Sequence, residues 1–244
     1  MPSVGRPKVD RTLPKALTIE TVSTVLAALD KDDVGRNSWP ERDRAIVLTV
    51  LLTGLRSEEL IQLNVGQVRI VDDGSAVLHV RGKGNKDRHV PVESGLVVIL
   101  ERYLGSRSER HARLSTSRRR PGAKLSSWEP TSPLFVGTTG DRITRGTLQY
   151  RVRRLYRRAG VDGQREKGAL VHGLRHTYAT ALANQKVSVY TLMKLLGHES
   201  MATAQRYVSG AGVETRPAAA LNPIYRLVVA ESDAVDQRGD PPSS

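Results

Sequence analysis

The texture of this chain changes twice, and the two changes bound what it can fold into. Up to Asn64 the pattern is helical. Leu17, Val22, Val25, Leu26 and Leu29 fall near one face, with Thr18 placed to cap the first turn. A second helix is expected from about Pro40 to Thr53, rich in Ile46, Val47, Leu48, Val50, Leu51 and Leu52, and Gly54 stops it. Ser57 is expected to cap a short helix carrying Glu58, Glu59, Leu60 and Leu63. After Asn64 the period shortens. Val68 and Ile70, the turn Asp72-Asp73-Gly74-Ser75, then Val77, Leu78 and Val80 read as a hairpin. A second turn, Gly82-Lys83-Gly84-Asn85-Lys86, leads into Arg88-His89-Val90-Pro91-Val92. Helix returns at about residues 95–104 and again at 149–158, with Thr144 as its cap. Further helices are expected near 173–184, 188–196 and 200–208. The predicted fold class is therefore α+β, mainly α-helical with one small three-stranded antiparallel sheet.

The remaining segments read as connections. Residues 1–16 are basic and bear prolines, as an arm or linker would; residues 105–131, with Arg118-Arg119-Arg120, read as a mobile basic loop. Residues 232–244 read as a disordered tail. The body between, residues 17–231, is expected to form one domain. Near its end Asn222 and Pro223 make a good helix start, with Ile224, Leu227 and Val228 on one face. That segment, about residues 222–230, could pack on a neighbouring protomer or on its own core.

Charge narrows the partner. Lys and Arg number 38 against 25 Asp and Glu, a formal charge of +13. Such an excess calls for a polyanion, most simply double-stranded DNA. Cysteine is absent, which excludes disulfides, thiolate metal sites and cysteine nucleophiles. No apolar run is long enough to span a bilayer, so no membrane role is expected and a cytoplasmic, nucleoid-associated location is.

Several polar motifs carry chemistry. Arg56 sits where one helix ends and another begins, a place suited to phosphate, and Glu59 lies one turn on to fix its fork. Lys83, between glycines at a hairpin tip, can reach a bound backbone and donate a proton to a leaving oxygen. His172 and Arg175 are spaced to share a helical face. His198 follows Leu195-Leu196-Gly197 at a helix end, and Tyr207 offers a phenol oxygen as nucleophile. Lys86, Arg88, Arg145 and Arg151 are the further candidates for contact with DNA.

In this order the motifs resemble the tyrosine recombinase, or phage integrase, family and its Xer-like branch. The matching stretches are residues 53–60, 82–92, His172 to Arg175 with His176, Leu195 to His198, and Tyr207. The resemblance implies that Arg56 and Arg175 clamp the scissile phosphate. It implies Lys83 as general acid toward the 5′ oxygen, His172 as helper in proton transfer at the tyrosine, and His198 as donor to a non-bridging oxygen. Glu59 would support the architecture. Tyr207 would attack, leaving a 3′-phosphotyrosyl link and a free 5′-hydroxyl. It further implies a homo-oligomer, a tetramer on DNA, with accessory proteins possible. No cofactor or metal is called for, because two guanidiniums and an imidazole can serve as the electrostatic clamp. Members usually carry a separate helical DNA-clamping domain ahead of this one, whereas only about residues 1–16 precede the resemblance here. The alternatives on similar chemistry are a non-catalytic DNA-binding protein and a type IB topoisomerase.

Overall fold

The computed structural model describes residues 16–30, 38–82, 87–111, 122–161, 170–197 and 221–225. Its elements are α1 (Ile19–Asp30), α2 (Pro40–Thr53), α3 (Ser57–Gln62), β1 (Val68–Ile70), β2 (Ala76–Val80), β3 (Arg88–Val92), α4 (Ser94–Arg110), α5 (Arg145–Arg158), α6 (Leu170–Asn184) and α7 (Val189–Leu196). The three strands pair antiparallel in sequence order. Val68 faces Leu78, and Leu78 faces Val90. Several sequence expectations fall on residues outside those described: most of the basic arm, Lys83 and Lys86, the Arg118-Arg119-Arg120 run, His198, Tyr207, the helix near 200–208 and the tail 232–244.

Helix α2 is the axis of the molecule. Ala45 to Thr53 are all buried, so the helix has no solvent face along this stretch, and α1, α4, α5, α6 and β3 pack around it. Pro40 opens it at a position where a missing N–H costs nothing. Gly54 closes it in the left-handed region at φ 63°, its N–H bonded to the Val50 carbonyl. The stop does more than end a helix. A Cβ built on Gly54 would lie 2.4 Å from Tyr178 Cδ1 and 2.9 Å from Leu196 Cδ2. Backbone strain and overpacking therefore combine, and Gly54→Ala is expected to cost about 2–4 kcal/mol. Urea denaturation checks this; a loss below about 0.5 kcal/mol would contradict the packing described.

Local signals explain most other boundaries. Thr18, Thr144 and Ser188 each accept from the backbone N–H three residues on, capping α1, α5 and α7. At α3 the expectation is corrected. The residue outside the first turn is Arg56, not Ser57, and its N–H is taken by the Glu59 carboxylate at 2.8 Å. The loop expected over 105–131 is also corrected. Helix α4 continues to Arg110, because Leu104 and Arg107 bury on its inner face. Arg107 stacks 4.3 Å over Trp128, and Lys124 bonds Glu101 at 2.9 Å, which ties the returning chain down. Helix α6 starts at Leu170, three residues earlier than expected.

The described part of the C-terminal segment lies on this chain's own core. Asn222 Nδ2 donates to the Leu51 carbonyl at 2.9 Å, Ile224 is buried, and the Tyr225 hydroxyl accepts from Glu93 N–H at 3.2 Å. Residues 226–230 lie outside the description.

Candidate active site

The site forms where α2 ends, α3 begins, and α6 and α7 converge on that junction. Arg56 extends from the α2–α3 corner with 43% of its side chain exposed. Its Nη1 bonds Glu59 Oε1 at 2.9 Å and its Nη2 bonds the Gly197 carbonyl at 3.0 Å. Arg175, by contrast, is buried. Its fork donates to the Gly54 carbonyl and, at 2.7 Å, to the Leu196 carbonyl. The two arginines thus hold carbonyls on both sides of one narrow junction, although 119 positions separate them in the chain.

His172 lies one turn before Arg175 on α6, and Leu174 between them is fully buried, which fixes how that turn presents both side chains. His172 faces solvent. Its pKa is lowered, first by desolvation and then by the neighbouring charges of Arg175 and Arg56. The neutral imidazole therefore prevails at neutral pH, and a neutral ring can accept a proton.

Glu59 is the electrostatic centre of the cluster. Burial alone would raise its pKa, yet hydrogen bonding and charge from Arg88, with the Arg56 N–H and side chain, outweigh burial and hold it at about 2. A carboxyl whose folded pKa lies below its unfolded value of 4.5 stabilises the fold above pH 4.5. That contribution disappears as pH falls toward 2. It is worth roughly 3 kcal/mol. The urea midpoint of the wild-type chain is therefore expected to drop between pH 4.5 and 2 more steeply than that of Glu59→Gln. Equal slopes in the two proteins would contradict this role.

The structure thus brings Arg56, Glu59, His172 and Arg175 together at the corner between α2 and α3, with Arg56 bonded to Gly197, the residue before His198. Arg145, the first residue of α5, is exposed and sits 3.8 Å from Glu58 on α3. Two of the residues expected to contact DNA are engaged inside the protein. Arg88 is buried, with Nη1 and Nη2 each 2.8 Å from the two Glu59 oxygens. Arg151 is buried against Asp43, its Nε 2.7 Å from Oδ2. Both burials had a readable signal. Arg88 shares the inward alternation of Val90 and Val92 on β3, and Arg151 shares the stripe of Leu148 and Leu155 on α5. Among the described residues no cluster of His, Asp and Glu could hold a metal ion, and no helix is long and apolar enough to cross a membrane.

A mainly helical domain with one three-stranded sheet, its arginines and histidine gathered at a helix corner, is a scaffold that comparison with known proteins places directly. The model of the phage integrase family matches residues 15–211, and the chain belongs to that family. It is 35% identical over 207 residues to the tyrosine recombinase XerD of Pseudomonas putida, which covers 85% of this chain and 59% of that protein. The corresponding values for XerD of Xanthomonas axonopodis pv. citri are 36% over 204 residues, 84% and 61%. Among solved structures it is similar to the XerH site-specific recombinase bound to difH substrate in a pre-cleavage complex. That likeness has a TM-score of 0.62 and 26% identity, and covers 80% of this chain and 50% of the other. The chain spans about three-fifths of the length of the curated relatives it matches.

Proposed function

We propose that this chain is a site-specific DNA recombinase that cuts and rejoins strands through a 3′-phosphotyrosyl intermediate. The observation that carries the reading is the convergence of Arg56, Arg175 and a neutral His172 on one corner. Two guanidiniums there can bind the non-bridging oxygens of a phosphodiester and stabilise the charge that grows on them. The carbonyls that accept from Arg175 and from Arg56 Nη2 are neutral, and a phosphate dianion-like transition state outcompetes them, while Glu59 keeps its hold on Arg56 Nη1.

In this reading the Tyr207 oxygen forms a bond to phosphorus while the bond from phosphorus to the 5′ oxygen breaks. The phenol proton passes toward His172, and Lys83 supplies a proton to the leaving 5′ oxygen. His198 donates to a non-bridging oxygen. The ester energy stays in the aryl phosphate, so a 5′-hydroxyl from a partner strand reverses the step without ATP. Exchange between two duplexes requires four such cuts, which fits a homotetramer on DNA.

Binding follows from the surface of α5. Arg145, Arg153 and Arg157 are exposed on its outer side, with Tyr150 between them, and α5 packs against the α3 that follows Arg56. A positive helical strip beside the phosphate clamp can follow a DNA backbone. The substrate would be genomic or mobile-element DNA of the nucleoid, met in the cytoplasm.

A library of nicked duplexes with randomised half-sites tests the proposal. The nick lets the short strand diffuse away after cleavage, so rejoining fails. Protein–DNA adducts that survive denaturing detergent, enriched for one sequence, are the expected result. Binding without any adduct would overturn the catalytic reading and leave a DNA-binding protein.

A further inference from the structure

Three arginines cap three consecutive carbonyls at the end of α7. Arg88 Nε donates to the Leu195 carbonyl at 2.9 Å, Arg175 to Leu196 at 2.7 Å, and Arg56 to Gly197 at 3.0 Å. These are the orphan acceptors of a helix C-terminus, where cations are favoured. Arg88, buried on β3 as Arg175 is on α6, differs from the other two in its remaining nitrogens, which form a two-pronged bond to Glu59. Glu59 in turn holds both the N–H and the Nη1 of Arg56. One guanidinium therefore touches the support of Arg56 and the turn that leads to His198.

The fit is close on the α7 side as well. Gly197 has φ 62°, and a Cβ there would lie 3.0 Å from Arg88 Nη1 and 3.2 Å from its Cδ. The helix stop thus leaves the space that the Arg88 side chain occupies. A lysine in that space keeps the charge but cannot bond two carboxylate oxygens and a carbonyl in one plane.

We propose that Arg88 is a positioning residue for the phosphate clamp: through Glu59 and the α7 end it fixes Arg56 and the turn at Gly197 without touching DNA itself. The proposal rests on the cleavage reading above. Its chemical consequence is specific. A displaced clamp matters most when a charged non-bridging oxygen must be stabilised. It matters far less when one of those oxygens is replaced by a neutral methyl group. A role through the hairpin carrying Lys83 would show the opposite pattern, because a thiolate leaving group needs no general acid.

Single-turnover cleavage by Arg88→Lys is therefore to be measured on a nicked duplex recovered from the library, in three forms. These carry the ordinary phosphate, a methylphosphonate, or a 5′-bridging phosphorothiolate at the scissile position. The expected loss is on the order of 100-fold on the phosphate and on the phosphorothiolate, but under about 3-fold on the methylphosphonate. DNA affinity should stay within about 2-fold of wild type, since no phosphate contact is lost. Wild-type rates on the phosphate would overturn the proposal. So would an equal loss on all three substrates, a rescue by the phosphorothiolate alone, or a matching loss of affinity. Should Arg88→Lys fail to fold, Arg88→Gln, which leaves the Glu59 carboxylate paired with Arg56, carries the same test. A wild-type chain that forms no adduct on any substrate overturns the cleavage reading and this proposal together. A cleaving wild type beside an unimpaired Arg88→Lys overturns this proposal alone.

Discussion

Tyr207→Phe is expected to abolish covalent attachment to DNA while leaving binding intact. The exchange removes one oxygen and no charge at neutral pH, since a phenol has a pKa of about 10. Phosphate contacts made by arginine and lysine are therefore untouched, and affinity at a fixed salt concentration should not change. The adduct, however, is an ester of that oxygen, and no other group replaces it in the proposed step. The prediction is a complete loss of detergent-stable complex beside an unchanged binding isotherm. An adduct of equal yield from the variant would mean that another residue is the nucleophile.

Arg175→Ala is expected to produce the second largest effect, a fall in cleavage rate on the order of 1,000-fold or more. Removing a single preorganised donor from a developing oxyanion costs on the order of 100- to 1,000-fold, and the guanidinium supplies two donors and a charge. The buried site adds to this. Arg175 spans from the Gly54 carbonyl at the end of α2 to the Leu196 carbonyl at the end of α7, so its loss leaves both acceptors without this donor and loosens the junction. A drop in thermal midpoint should accompany the kinetic loss. Arg175→Lys separates the two, restoring charge without the fork, and should recover part of the stability and little of the rate. Cleavage within about 10-fold of wild type for Arg175→Ala would remove that residue from the clamp.

Much of this was legible in the chain, for local reasons. Gly54, Thr18 and Thr144 act within one helical turn, and such signals mark boundaries wherever they occur. The hairpin of β1 and β2 followed from alternation and the Asp72 to Ser75 turn. Arg56 and Arg175 were legible by their motifs, but their shared junction was not. Nothing local shows that Gly54 and Leu196 become neighbours. The partnership of Arg88 and Glu59 is likewise a tertiary fact spanning 29 positions. A basic residue at the foot of a basic turn reads as a surface contact until the strand period is applied to it. The end of α4 was missed because the Arg118-Arg119-Arg120 run makes residues 105–131 read as one basic loop. Arg107 instead buries its stem, stacks on Trp128 and donates to the Pro133 carbonyl.

The proposed reaction stands or falls on the identity of one covalent bond. The most direct measurement is peptide mapping by mass spectrometry of the adduct trapped on the nicked duplex, with end-labelling of the released strand. The expected result is a nucleotide 3′-phosphate on the peptide containing Tyr207, together with a free 5′-hydroxyl on the departing strand. A modified residue other than Tyr207, or a 5′-phosphate on the departing strand, would contradict it.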